Sequence, residues 1–167
     1  IVAHARRPPP GTPVLDARGL VVAPGFLDLH VHLREPGNEE AETVESGCRA
    51  AARGGFTGVL AMPNTRPPCD TQAAVARLLK QAEKAGLARV YAAACATLGR
   101  RGQKPSNLPA LARAGALAFT DDGSTIRTAA LLQRVLVAAR RLGLPVLDHA
   151  ESPALERRGV MHAGAAS

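Results

Sequence analysis

The segment GFLDLHVHLREPG, residues 25–37, decides the fold and carries the first candidate site residues. Its apolar run is typical of a buried strand in a parallel sheet. Side chains at positions i and i+2 of a strand share a face, so His30 and His32 project together, about 6.6 Å apart at the backbone. Two imidazoles at this spacing can bind one metal ion, and the alternative is a pair of structural core histidines. Arg34 has the same parity, and a permanent charge there indicates an anion to bind.

The rest of the chain repeats one strand and one helix about every 25–30 residues, which is typical of βα repetition. Near-continuous apolar strands indicate a parallel sheet covered by helices, so the sequence predicts an α/β protein. The strand-like runs are residues 25–32, 56–63, 89–96, 115–120 and 144–149, and the helical patterns are residues 39–53, 71–86, 107–114 and 126–142.

A doubly wound sheet and a (β/α)₈ barrel both fit this rhythm. No GxGxxG motif follows the first strand, and polar residues follow strand after strand, as on the catalytic face of a barrel. We therefore predict that residues 25–167 are the first five βα units of a (β/α)₈ TIM-type barrel whose later strands lie outside these residues. Residues 1–24 are predicted to be part of an N-terminal β-sandwich segment, in which VLDA and GLVVAP would be short strands around a turn at Arg18-Gly19.

Composition narrows the function classes. Apolar residues make up 46% of the chain and aromatic residues 2%, which predicts an aliphatic core. The net charge of +7 comes from scattered arginines without a basic run or aromatic interleaving, which argues against nucleic-acid binding. No apolar stretch reaches the roughly 20 residues that span a bilayer. Three widely spaced cysteines without a CxxC motif fit a reducing cytosol, so we expect a cytoplasmic protein without a membrane partner.

Two further strand ends carry candidate ligands. Asp121 and Asp122 are adjacent after the fourth strand-like run, where a metal cation would relieve their repulsion, although a helix cap and turn would also explain them. His149 ends the fifth run at a matching position. The carboxyl ends of parallel strands share one edge of a sheet, so His30, His32, Asp122 and His149 together predict a metal site.

The segment VVAPGFLDLHVHLREPG, residues 21–37, resembles the opening of the amidohydrolase superfamily, whose members carry HxH on the first barrel strand. Four further motifs resemble dihydroorotases of the long bacterial type: MPNT (62–65), AFTDDG (118–123), DHAE (148–151) and GVMHAG (159–164). Hydantoinases and allantoinases use a carboxylated lysine at the fourth strand. This sequence has no lysine after Lys104, which favours the dihydroorotase branch.

The resemblance implies a role for each matching residue. His30 and His32 would bind one zinc ion, Asp122 would bridge to a second zinc ion where one is bound, and His149 would ligate that second ion. Arg34 would hold the substrate carboxylate, and Asn64 would hold the amide-bearing ring.

The implied function is a zinc-dependent hydrolase that interconverts N-carbamoyl-L-aspartate and dihydroorotate in pyrimidine biosynthesis. The family's proton-shuttling aspartate and a further histidine ligand are expected beyond Ser167, so we assign no general acid or base here and expect residues 1–167 to be inactive alone. The alternative is a non-catalytic dihydroorotase-like subunit that supports aspartate transcarbamoylase. A homo-oligomer and docking of an active enzyme on that transcarbamoylase also stay open.

Overall fold

The computed structural model describes residues 9–151 and shows alternating strands and helices. Four parallel strands form one sheet in the order β1-β2-β3-β4, so each strand pairs with the next in the chain. The strands are β1 Phe26–Val31, β2 Phe56–Ala61, β3 Arg89–Cys95 and β4 Ala116–Thr120. The helices are α1 Val44–Arg53, α2 Gln72–Ala85, α3 Leu108–Arg113 and α4 Ala129–Leu142, and a single 3-10 turn covers Leu98–Arg100.

Local sequence signals account for the helix boundaries. A side-chain oxygen of the preceding residue accepts a backbone N–H in the first turn of each α-helix, and these caps are Thr43, Thr71, Asn107 and Thr128. Gly86 and Gly143 end α2 and α4 in the left-handed conformation. Helix α1 starts at Val44 and not at residue 39 as predicted, because the Thr43–Ser46 capping box fixes its first turn there.

The predicted fifth strand, residues 144–149, is wrong as a full strand. This segment forms one parallel bridge to β4, between Phe119 and Val146. The Phe119 N–H donates to the Pro145 carbonyl at 3.1 Å, and the Leu147 N–H donates to the Phe119 carbonyl at 2.9 Å. Pro145 has no N–H to donate, which limits the ladder. The segment nevertheless follows β4 in the parallel order that the sequence predicts.

The two short strands predicted before residue 25 are also wrong. Residues 9–25 contain turns at Pro10-Gly11 and Arg18-Gly19 but no strand. Leu15 and Val21 are 92% and 93% exposed, so these apolar side chains have no packing partner among the described residues that would stabilise a strand. The β-sandwich assignment of residues 1–24 stays a prediction, because residues 1–8 lie outside the described part of the chain.

The core lies between the sheet and its helices and is aliphatic, as predicted. The centre of β3 is a run of alanines, which lets helices pack closely against the sheet. Larger buried side chains around it are Val44, Val75, Leu108, Leu111, Phe119 and Val135. A smaller cluster on the opposite face consists of Leu60, Met62, Ala93 and Ala118. No helix within residues 9–151 has the length and apolar character needed to cross a membrane.

Candidate metal centre

Three of the four predicted ligands meet at the carboxyl edge of the sheet. His30 lies on β1, His32 follows it, and Asp122 follows β4. His30 Nε2 lies 3.2 Å from Asp122 Oδ1, and His32 Nε2 lies 3.6 Å from Asp122 Oδ2. One ligand atom from each residue lies within 4.8 Å of the other two. The carboxylate therefore presents one oxygen to each imidazole, and the three groups surround a common point.

Asn64 fixes the orientation of His32. Asn64 Oδ1 lies 2.9 Å from His32 Nδ1, and Asn64 Nδ2 donates to Asp122 Oδ2 at 3.5 Å. The amide oxygen can only accept, so His32 Nδ1 is the donor in this contact, and Nε2 is the ring atom that faces the carboxylate. At 3.6 Å the Nε2–Oδ2 distance is too long for a hydrogen bond. The Nε2 atom and the carboxylate oxygen therefore face each other without a direct hydrogen bond, an arrangement in which both could be ligands of one metal ion.

The two adjacent aspartates point to different partners. Asp122 is 7% exposed and faces the histidines, while its backbone N–H donates to Thr120 Oγ1 at 3.0 Å. Asp121 is 3% exposed and accepts the Thr97 backbone N–H at 2.9 Å and the Thr97 hydroxyl. Burial raises the pKa of the Asp121 carboxyl, and the hydrogen bonds from Thr97 and the charge of Arg100 oppose that shift. Only Asp122 is available to a metal ion.

His149 does not join this cluster. Its Nδ1 lies 3.1 Å from Glu151 Oε2, and the imidazole is 39% exposed. The group of potential ligand atoms found among residues 9–151 contains His30, His32 and Asp122 alone. The role of His149 as a ligand of a second ion therefore stays a prediction.

Arg34 and Asn64, the predicted substrate contacts, lie on two loops that pack together. Arg34 has a φ of +59°, a conformation that long side chains rarely adopt and that often marks a functional position. The Arg66 N–H donates to the Pro36 carbonyl at 2.8 Å, which joins the loop after β1 to the loop after β2. The Arg34 guanidinium forms no ion pair with any residue in the described range, so its charge is available to a ligand.

Polar residues next to the predicted ligands hold the backbone around the candidate centre. Asp28 Oδ1 accepts the backbone N–H of His30 at 3.0 Å, so Asp28 stabilises the end of β1 and does not orient the imidazole. The residues that sequence reasoning missed are Thr97 and Arg100, which follow β3 and contact the Asp121–Ser124 turn. Thr97 could have been found from the sequence, because it is a polar residue directly after an apolar strand-like run, the same pattern that identified the other candidate residues.

Known proteins resemble this chain over most of its length. A sequence model of the family described as dihydro-orotase-like matches residues 19–166. The dihydroorotase of Anaeromyxobacter dehalogenans is 48% identical over 166 residues, which cover 99% of this chain and 38% of that protein. The dihydroorotase of Aquifex aeolicus is 42% identical over 158 residues, which cover 95% of this chain and 37% of that protein. The chain thus spans well under half the length of the curated relatives it matches.

Two solved structures share the fold. The L-hydantoinase (dihydropyrimidinase) of Arthrobacter aurescens matches with a TM-score of 0.70 and 25% identity, over 86% of this chain and 33% of that one. The dihydroorotase of Saccharomyces cerevisiae, solved with 5-fluoroorotic acid, matches with a TM-score of 0.61 and 19% identity, over 86% of this chain and 39% of that one. The second likeness is informative for the fold alone.

The sequential parallel strands, the helices between them and the histidine–aspartate cluster at the carboxyl edge define part of an amidohydrolase-type barrel. Within that class, the family whose sequence model matches residues 19–166 is the dihydro-orotase-like one. The chain belongs to the dihydroorotase-like family.

Proposed function

We propose that this chain forms the metal- and substrate-binding part of a zinc-dependent dihydroorotase, which interconverts N-carbamoyl-L-aspartate and dihydroorotate in pyrimidine biosynthesis. The observation that carries the proposal is the convergence of His30, His32 and Asp122 within 4.8 Å. Family membership supports the reaction class, and the absence of a lysine after Lys104 favours dihydroorotate over hydantoins as the substrate.

The donor set fits zinc. Two imidazole nitrogens and one carboxylate oxygen are ligands that Zn²⁺ accepts, and Asn64 holds His32 in the tautomer that leaves Nε2 free to coordinate. When bound, zinc supplies a Lewis acid that polarises an amide carbonyl and makes water a better nucleophile near neutral pH. His149 is proposed as a ligand of a second ion, with Asp122 between the two ions.

The chain's own residues then bind and orient the substrate. The Arg34 guanidinium pairs with the substrate carboxylate through two parallel hydrogen bonds, which fixes the ring and selects the amide that is cleaved. Asn64 can donate to and accept from the ring amide, although in this structure its amide contacts His32 and Asp122. Cytoplasmic location, self-association and docking on aspartate transcarbamoylase remain predictions from the sequence.

The proposal is tested by a pair of substrates that differ in one group. Dihydrouracil has the ring of dihydroorotate without its carboxylate. In the full-length protein we expect dihydroorotate to be strongly preferred, and Arg34→Ala to lower kcat/KM for dihydroorotate about 10- to 150-fold, as expected for losing hydrogen bonds to a charged group worth about 1.5–3 kcal/mol.

The variant should leave the slow turnover of dihydrouracil and the zinc content unchanged. Glu45→Ala is the matched control, because Glu45 lies on the exposed surface of α1 and, within residues 9–151, forms its ion pair with Arg49. Equal loss for both substrates would reject Arg34 as the carboxylate contact. Wild-type protein that turns over dihydrouracil or hydantoin better than dihydroorotate would reject the proposed substrate.

A further inference from the structure

The loop after β3 and the turn after β4 are tied together directly behind the candidate metal centre. Thr97 is fully buried and donates both its backbone N–H, at 2.9 Å, and its hydroxyl to the Asp121 carboxylate. The Thr97 oxygen in turn accepts the Gly102 N–H at 2.8 Å. The Thr97 hydroxyl therefore donates a hydrogen bond to Asp121 and accepts one from the backbone of its own loop.

The two loops also meet backbone to backbone. The Arg127 N–H donates to the Gly102 carbonyl at 3.2 Å. A Cβ atom on Gly102 would lie 2.3 Å from the Thr125 carbonyl oxygen, so a larger residue cannot occupy this position without moving a loop. The φ of Gly102 is +63°, which also favours glycine. The two loops are therefore in direct van der Waals and hydrogen-bonding contact at Gly102.

Arg100 adds a charge to this region. Its Nη2 atom lies 3.5 Å from Ser124 Oγ, and the same atom is 3.0 Å from where a Cβ on Gly123 would lie. The guanidinium thus covers the turn that begins with Asp121 and Asp122, and it offsets the negative charge that the buried Asp121 carboxylate brings into the fold.

We propose that Asp121 and Thr97 form a brace that positions Asp122 for metal binding, so that Asp121 is a positioning residue and not a second carboxylate ligand. The inference rests on the proposed function, since it assigns Asp122 to a metal ion. Asp122 is held from both sides: Thr120 Oγ1 accepts its backbone N–H at 3.0 Å, and the preceding residue is anchored through its side chain to Thr97. With the backbone fixed, the Asp122 carboxylate needs little reorganisation to face His30 and His32.

The brace predicts that zinc affinity depends on the Thr97 hydroxyl, which bonds to Asp121 and to the Gly102 N–H and contacts the proposed ligand Asp122 through Asp121. In the full-length protein, Thr97→Val removes the hydroxyl at nearly constant volume, and Thr97→Ser keeps it. We expect Thr97→Val and Asp121→Asn to weaken zinc binding about 10- to 100-fold, as is typical when a residue that orients a metal ligand is lost. Thr97→Ser should restore an affinity close to the wild-type value.

Zinc affinity is measured by competition with a chromophoric chelator, and the visible spectrum of the cobalt-substituted protein reports the ligand geometry. The control is Val135→Ala on α4, a fully buried core residue outside the brace. It should lower the Tm of the metal-free protein without changing the zinc Kd. If Val135→Ala weakens zinc binding as much as Thr97→Val, the effect is general destabilisation and the brace is rejected.

His32→Ala separates this inference from the proposed function. Stoichiometric zinc that survives His32→Ala would contradict the metal assignment itself. Loss of zinc in His32→Ala, together with a zinc Kd within twofold of wild type in both Thr97→Val and Asp121→Asn, would overturn the brace and leave the proposed function standing. Should Asp121→Asn fail to fold, the comparison of Thr97→Val with Thr97→Ser decides the question alone.

Discussion

At the scale of single residues, hydrogen bonds to Asn64 and Thr97 determine which side-chain atoms of the candidate site face the proposed metal position. Asn64 fixes the tautomer of His32, and Thr97 removes Asp121 from the space that Asp122 faces. Both effects follow from the donor and acceptor inventory of the side chains, since an amide oxygen can only accept and a backbone N–H can only donate. The chemistry of the centre is thus set by residues that need not touch the metal ion.

The cysteines are a residue-scale case in which burial determines reactivity. Cys69 follows two prolines in the loop after β2, yet it is only 4% exposed, because its N–H donates to the Pro63 carbonyl and its carbonyl accepts the Cys95 N–H. Burial raises the pKa of the Cys69 thiol to about 12, and it also raises the pKa of Cys48 and Cys95.

We therefore predict that none of the three thiols reacts with Ellman's reagent at pH 8 in the folded chain, because the reactive thiolate is not populated. In denaturant, where the pKa values return to about 8.5, all three should react within minutes. Stoichiometric labelling of Cys69 under native conditions, located by peptide mass spectrometry, would show that the loop after β2 is open.

Sequence reasoning predicted the relative positions of side chains where local geometry decides them. His30 and His32 share a face because strand side chains alternate, so their convergence could be foreseen from spacing alone. The divergence of Asp121 from Asp122 could not, because it depends on Thr97, which lies 24 residues earlier in the chain. Similarly, the burial of Cys69 depends on a contact with β3 that no local pattern indicates.

At the scale of elements, helices and central strands were predictable and the ends of the described chain were not. The four strands β1 to β4 start and end within two residues of the predicted runs, because apolar composition and glycine or threonine boundaries specify them. Residues 144–149 form only a bridge, and residues 14–24 form no strand, because a strand needs a neighbouring strand to pair with, which its own sequence does not specify.

Helix α1 offers an element-scale test that is separate from the site. The Thr43 hydroxyl accepts the Ser46 N–H at 3.0 Å, and the Ser46 hydroxyl accepts the Thr43 N–H at 2.9 Å. Thr43→Ala should lower the free energy of unfolding by about 0.5–2 kcal/mol, whereas Thr43→Ser should be nearly neutral. Urea unfolding of the full-length protein measures both, with zinc content as the control that should not change. An unchanged midpoint in Thr43→Ala would show that α1 does not depend on this cap.

At the scale of the whole molecule, the strand order explains why residues distant in the chain form one site. Sequential parallel strands place every carboxyl end at the same edge, which brings His30 within hydrogen-bonding range of Asp122, more than 90 positions later. Strand β1 lies at one edge of the described sheet. Its apolar side chains Phe26, Leu27 and Leu29 are 61–68% exposed, and in a closed barrel this edge would pair with a further strand.

The most direct test of the central claim is anomalous X-ray diffraction at the zinc absorption edge, on crystals of the full-length protein grown with zinc. We predict an anomalous peak about 2.0–2.2 Å from nitrogens of His30 and His32 and from an oxygen of Asp122. An anomalous map with no peak between these three side chains, while zinc occupies another position in the same crystals, would contradict the account.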